Sequence, residues 1–332
     1  MTVWLRAGGA GVAKDRCCSS NASPTFGGPV RTDTDLDTLA VALYVTLDDA
    51  LASHHEMVPP RPASGFQPRI SDAEILTLAV LAQLQGFTSE RRWLRFAHAH
   101  LRDMFPYLPG QSGYNKHLRK LAGTLAWAQR LLARHCQAWH DDLWLADSTP
   151  IECGRSVDTV KRSALAGYAE YGYCASHSRW FWGLRLHLVT TTCGLPILWA
   201  VTGARASERD VLDQLTSHYQ PTHGWQTLIA DKGYASRDLE QSLHDKGIHM
   251  LRPARRNEPE RPGARYFKPF RQIIESVNAT LKTHLDIEHH RGRTLTGLTV
   301  RITAALLALT AAIWHNDHSH APTLRSLTPY DH

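Results

Sequence analysis

Leu143-Trp-Leu-Ala-Asp147 and Thr227-Leu-Ile-Ala-Asp231 share one pattern, a short apolar run that ends in aspartate. Runs of this length, bounded by polar residues and rich in large apolar side chains, read as buried β-strands. The pattern therefore places Asp147 and Asp231 just past the carboxyl ends of two strands, the rim where open α/β sheets bind their ligands. One such aspartate equally serves to cap the following turn. Two in matching contexts point to a shared site.

Around these two runs the pattern alternates. Trp180 to Thr192, Leu195 to Val201 and Ile248 to Leu251 are further apolar runs of β character. Ser207 to Tyr219, Ser236 to Lys246 and Phe270 to Leu285 carry helical periodicity. The order predicts a mixed α/β sheet flanked by helices.

Upstream, the period changes to 3.6 throughout. Leu36, Leu39, Leu43 and Leu47 lie on one face of a helix over 36–52. After a Pro-rich linker over 59–68, Ser71 and Glu74 have capping-box spacing ahead of a helix through Leu84. Thr88 or Ser89 caps the next helix, and another opens at Ser112 and runs to Trp139. The organisation expected is a poorly ordered leader (1–33), an all-helical domain (34–140), the α/β domain (141–316) and a tail (317–332). Near one helix start, Asn115, Lys116 and Arg119 suit a DNA-facing helix of helix-turn-helix type. A basic solvent face on a helical bundle has the same composition.

The chain has 332 residues, 43% hydrophobic and 20% charged, which excludes global disorder. Its net charge is +6. From Lys246 to Arg293 there are eleven Lys/Arg against five Asp/Glu, so this segment accounts for the whole excess. A basic segment in an otherwise neutral chain fits a polyanionic partner, and also a solvated basic surface. Arg255 and Arg256 stand inside it. The six cysteines show no Cys-x-x-Cys pair and are expected as reduced thiols, with Cys174 and His177 an isolated zinc-like spacing. No signal peptide or membrane span is expected; Leu298 to Trp314 reads as a buried helix.

The third acid is Glu275. On its helix Ile274, Val277, Leu281 and Leu285 form the apolar face, and Arg271, Glu275, Asn278 and Lys282 form a polar stripe beside it. Taken alone the stripe reads as an exposed face with intrahelical ion pairs; beside the two aspartates it reads as a metal ligand flanked by cations. Three acids with no histidine pair favour hard oxygen coordination, hence Mg²⁺, with Mn²⁺ as a substitute. Two such ions per site would serve phosphodiester chemistry.

With Asp147, Asp231 and Glu275 in place, the chain resembles the DDE transposases of bacterial insertion sequences, which are RNase H-like. Asp147-Ser-Thr-Pro-Ile resembles the motif around the family's first aspartate, and Asp231-Lys-Gly-Tyr234 that around the second. Tyr171-Gly-Tyr-Cys-Ala-Ser176 with Trp182-Gly-Leu-Arg-Leu-His187 resembles the branch named insertion-sequence family nine-eight-two. Arg271, Glu275 and Lys282 keep the Arg-x3-Glu-x6-Lys spacing of a related signature. Where that signature has Tyr three residues before the Arg, this chain has Lys268.

The resemblance implies that Asp147 bridges two metal ions and that Asp231 and Glu275 each complete one shell. It implies hydrolysis at the element's ends, then attack of the freed 3′-hydroxyl on target DNA. The implied partners are double-stranded DNA (terminal inverted repeats and target) and a second copy of the chain on that DNA, in the bacterial cytoplasm at the nucleoid. Phosphate contacts are expected for Arg255 and Arg256, which resemble a basic pair of the family, and DNA contacts for Lys282 and Arg271, Lys282 ahead of Arg271 because Arg271 can pair with Glu275. A two-metal nuclease without strand transfer, and a DNA-binding protein without catalysis, remain as alternatives.

Overall fold

The computed structural model describes residues 35–60, 68–174, 178–219 and 225–330. The leader, most of the Pro-rich linker and His177 lie outside the described residues.

The N-terminal helices are α1 (Asp35–Ser53), α2 (Asp72–Leu84), α3 (Glu90–His100), α4 (Gln111–Lys120) and α5 (Ala122–Arg134). The capping box of α2 closes in both directions: Ser71 N donates to Glu74 Oε2 at 2.6 Å and Glu74 N to Ser71 Oγ at 3.1 Å. Ser89 caps α3. The single helix expected from Ser112 to Trp139 is instead α4 and α5, separated by a turn at the buried Leu121. Nothing polar marks that break, because Leu121 fits either helix's apolar face.

Then follow β1 (Leu143–Gly154), α6 (Val157–Arg162), β2 (Glu170–Cys174), β3 (Arg179–Thr191), β4 (Pro196–Gly203), α7 (Glu208–Thr216), β5 (Gln226–Ala230), α8 (Arg237–Asp245) and β6 (Ile248–Leu251). The last helices are α9 (Ala264–Ala279), extended by a π-turn over Thr280–His284, and α10 (Leu295–His318). Among the described residues the strands form one sheet in the order β2-β3-β1-β5-β6, with β4 beside the second half of β3. β1 pairs antiparallel with β3 and parallel with β5, and β5 pairs parallel with β6. The mixed α/β sheet with flanking helices is the architecture expected.

Two local expectations are corrected, and two elements were missed. Asp147 does not follow its strand; β1 runs on to Gly154 because β3 continues to pair with it after β5 has ended. β2 and α6 were not legible: β2 is five residues with Gly172 at its centre, and α6 is under two turns. Finally, α9 begins at Ala264, ahead of Pro269, which ordinarily stops a helix by withholding its N–H.

α10 meets the length and hydropathy of a membrane span, yet its residues are buried within the protein, packed mainly on α5 and α2. The buried Gln129 of α5 ties this helical layer to the sheet. Its amide donates to Pro196 O (2.9 Å) and Thr310 Oγ1 (3.2 Å) and accepts from Trp199 Nε1 (3.1 Å). Arg301 of α10 pairs with Glu90 of α3 at 3.1 Å. One continuous apolar core runs through the helices and the sheet. Cys136, Cys153 and Cys193 are free thiols, and burial pushes the first two up to about 12.

Gly183, opposite Glu152, marks a close approach of β3 to β1; a Cβ there would run into the Ile151 carbonyl. Gly183→Ala is expected to cost about 1–3 kcal/mol, the usual scale of overpacking. Urea denaturation measures it, and an unchanged midpoint would contradict the close approach.

Candidate active site

The parallel register of β1 and β5 pairs Ala146 with Ala230. The next residue on each strand is an aspartate, so Asp147 and Asp231 stand side by side. By strand alternation both share a face with Leu145 and Ile229. α9 packs on β1, burying Ile274, Val277 and Leu281. Its polar stripe then falls along the aspartates.

The stripe is divided between them. Asn278 Nδ2 donates to Asp147 Oδ2 at 2.8 Å. Arg271 Nε donates to Glu275 Oε1 at 2.8 Å, and its Nη1 lies 3.9 Å from Asp231 Oδ1. Asp231 Oδ1 also accepts from the Lys232 backbone N–H at 2.6 Å. Asp147, Asp231, Glu275 and Arg271 thus line one cleft of about 430 Å³. The three acids expected to share a site line the same cleft; Asn278 stood in the sequence only as part of the stripe.

A fourth carboxylate approaches from α7. Glu208 Oε1 accepts from Ser148 Oγ at 2.5 Å and from Arg185 Nη1 at 2.8 Å. Arg185 also donates to Ser148 Oγ at 2.9 Å and to Tyr173 O at 3.2 Å. Asp210 of the same helix is exposed, and the residue turned to the site is Glu208. Ser207 caps α7 and puts both acids in its first turn, so only the helix's rotation separates them. Glu208→Ala would leave the poorly exposed Arg185 without its carboxylate. An expected loss of roughly 1–3 kcal/mol follows from stranding a buried donor. Thermal unfolding would check this, and a melting point equal to wild type would refute the clamp.

These charges act on Asp147. Burial raises its carboxyl to about 6, and the neighbouring charges of Glu208 and Asp231 push in the same direction. Arg271 is held charged by Glu275 and Asp231. Tyr234, fully buried, is raised well above its ordinary value by burial and then by Glu208 and Asp147. His187 is buried, accepts or donates at Thr202 Oγ1 (2.9 Å), and is pushed down to about 3 by burial. It is a neutral core residue.

The remaining candidates lie elsewhere. Lys282 sits in the π-turn and pairs with Glu288 at 3.4 Å. Arg255 is exposed and donates to the Ala235 carbonyl; Arg256 is exposed. Both follow Pro253 and Ala254, which line the cleft. Lys116 and Arg119 are exposed on α4, away from the cleft. Asn115 is not a free reader on that helix: its amide donates to both oxygens of Glu90, at 2.9 and 3.0 Å, and fastens α4 to α3. Trp180 is exposed beside Tyr173, whereas Phe181 and Trp182 are buried.

Among the described residues no group of three or more His, Cys, Asp or Glu side chains is close enough to hold a metal ion as the side chains stand. The donor chemistry nevertheless fits a hard cation. Burial and then like charges disfavour the ionised Asp147, Asn278 Oδ1 is buried without a hydrogen-bond partner, and the Arg271 guanidinium lies between the other two acids as a counter-charge.

Residues 137–295 match the family model described as "Transposase DDE domain". Among solved structures the chain is similar to a piggyBac transposase in a synaptic complex with hairpin DNA, determined by cryo-electron microscopy. The identity is 10% and the TM-score 0.39, over 90% of this chain and 79% of that one. No curated protein matches significantly.

Proposed function

We propose that this chain is a DDE transposase of the insertion-sequence type, with an RNase H-like catalytic sheet. The observation that carries the reading is the β1–β5 register, which sets Asp147 beside Asp231 under Glu275, within the stretch that matches the transposase domain model. The strings that resemble family nine-eight-two support that branch, with the bacterial chromosome as the substrate.

In this reading Asp147, Asp231 and Glu275 would hold two Mg²⁺ ions, whose chemistry would be activation of the attacking oxygen and stabilisation of the leaving one. Asn278 orients Asp147 by its 2.8 Å hydrogen bond. Glu208, Ser148 and Arg185 fix the β1 segment that carries Asp147. Arg271 is the counter-charge of Asp231 and Glu275 and lines the cleft, where it would meet a DNA phosphate. Arg255, Arg256 and Lys282 are assigned to the phosphates of bound DNA, with Lys116 and Arg119 of α4 on the terminal repeats. Two copies of the chain synapse the ends.

The test is joining. The protein is given labelled duplex with the repeats that flank its gene, a supercoiled target, and Mg²⁺ or Mn²⁺. Metal-dependent joined products are expected, and none with chelator. Nicking without joining would leave a nuclease of the same fold. Binding without cutting would overturn the enzymatic reading.

A further inference from the structure

Glu275 is exposed, and its hydrogen bond runs to Arg271 of its own helix. Where it stands relative to Asp147 and Asp231 is therefore set by the seating of α9. The sheet holds one side of that helix, through the buried Ile274 and Val277. A second hold comes from the end of the chain. Arg325 Nη2 donates to Ser276 Oγ at 2.9 Å, and Nη1 to Ile273 O at 3.5 Å. Three residues apart, Ile273 and Ser276 share a flank of α9, away from the stripe of Arg271, Glu275 and Asn278. Gly194, in the β3–β4 turn at φ +91°, leaves room for this contact. A Cβ there would stand 2.8 Å from Arg325 Cδ and Nη1 and from Val277 Cγ2.

The segment that carries Arg325 is itself fastened. Asn316, buried near the end of α10, donates to Leu324 O at 2.8 Å and to Ser326 O at 2.9 Å, on either side of Arg325. Its Oδ1 accepts from the Tyr330 hydroxyl at 2.6 Å. Tyr330 is buried in turn, and its carbonyl accepts from Gln85 Nε2, just past α2, at 2.9 Å. Among the described residues Arg325 has no carboxylate partner, and burial pushes its pKa below the ordinary arginine value. A guanidinium partly buried against neutral acceptors gains little net stability. What its rigid fork supplies is a fixed geometry between two segments. We propose that Arg325 is a positioning residue: it braces α9 from the C-terminal segment and sets the angle at which Glu275 faces Asp147 and Asp231. The inference rests on the reading of those three acids as metal ligands and extends it to a part of the chain beyond the matched domain.

The experiment titrates Mg²⁺ into the full chain and follows two readings, the rise in melting temperature and the cutting of labelled terminal-repeat duplex. Arg325→Met keeps the reach of the side chain and removes its donors, and Ser276→Ala removes the nearer acceptor. Each is expected to raise the Mg²⁺ concentration at half effect by roughly 10-fold in both readings, the low end for groups that orient a metal ligand. Saturating Mg²⁺ should restore cutting, a recovery that misfolding does not allow. The double variant should be no worse than Arg325→Met alone, because both changes remove one contact. Arg325→Lys, which keeps a donor for Ser276, should stay near wild type. Variants that melt lower without metal but keep the wild-type Mg²⁺ requirement would make Arg325 a structural anchor only and overturn the proposal. So would strictly additive effects of the two changes. A wild type that melts higher with Mg²⁺ yet never cuts would remove the transposase reading, while the melting titration of the variants still decides the brace. A wild type that Mg²⁺ leaves unmoved in both readings would overturn the metal-ligand reading, and this inference with it.

Discussion

Asp147→Asn is expected to abolish metal-dependent cutting while making the metal-free protein more stable at neutral pH. The loss of activity should be at least about 10³-fold, the upper end for removing one pre-organised electrostatic contact. The stability effect has the opposite sign. Burial and the charges of Glu208 and Asp231 raise the folded-state value to about 6, above the ordinary value of 3.8. Between those two values the folded state binds more protons than the unfolded one. Wild-type stability therefore falls as pH rises from about 4 through about 6. Asparagine carries no charge and still offers an oxygen to Asn278 Nδ2, so the variant escapes this cost. At pH 7.5 in chelator it should melt above wild type, and at pH 4 the two should converge. Adding Mg²⁺ should raise the wild-type melting temperature and leave the variant nearly unmoved. A variant that melts below wild type at pH 7.5, or that still cuts, would contradict the account of the site. Destabilisation concentrated at a functional site, relieved by the inactivating substitution, is the general trade-off between stability and activity.

Leu306→Ala is expected to have the largest effect on folding. Leu306 has 0% exposure at the middle of α10. Truncating a fully buried leucine costs about 2–5 kcal/mol, depending on how far the cavity collapses. Because α10 packs on α1, α2, α4 and α5 and also touches β4, the loss should appear in one cooperative transition. Helical circular dichroism and tryptophan fluorescence should shift together in urea. Separate transitions, with the sheet unmoved, would show that the helices and the sheet are uncoupled. A shift below about 1 kcal/mol would contradict the burial, since losses that small belong to exposed positions.

Much of this was legible because local chemistry left marks. Ser71 and Glu74 mark the start of α2 and form the capping box they spell. Ile248 to Leu251 is a strand at its expected bounds, because a short apolar run between polar residues has few other solutions. Asp147 and Asp231 stood out by their matching contexts and Glu275 only beside them, and the three line one cleft. Other features had no local mark. Leu121 ends α4 without a cap, and Asn115 reads as a free polar residue until Glu90 of another helix takes both its donors. The helix expected from Phe270 starts at Ala264 instead, and α9 passes through Pro269.

The amino-acid order determined which residues are acids at the ends of apolar runs, which helix carries a polar stripe, and where positive charge collects. Those are properties of neighbours along the chain, set by strand and helix periods of 2 and 3.6 residues. The tertiary structure alone decided that β1 and β5 are parallel partners in a register that aligns Asp147 with Asp231. It alone turned Glu208 rather than Asp210 toward Ser148 and Arg185, and brought Arg325 of the C-terminal segment to Ser276 of α9. Each depends on packing between segments far apart in sequence, and a one-residue slip of register or a partial turn of a helix would change the outcome without changing the local pattern.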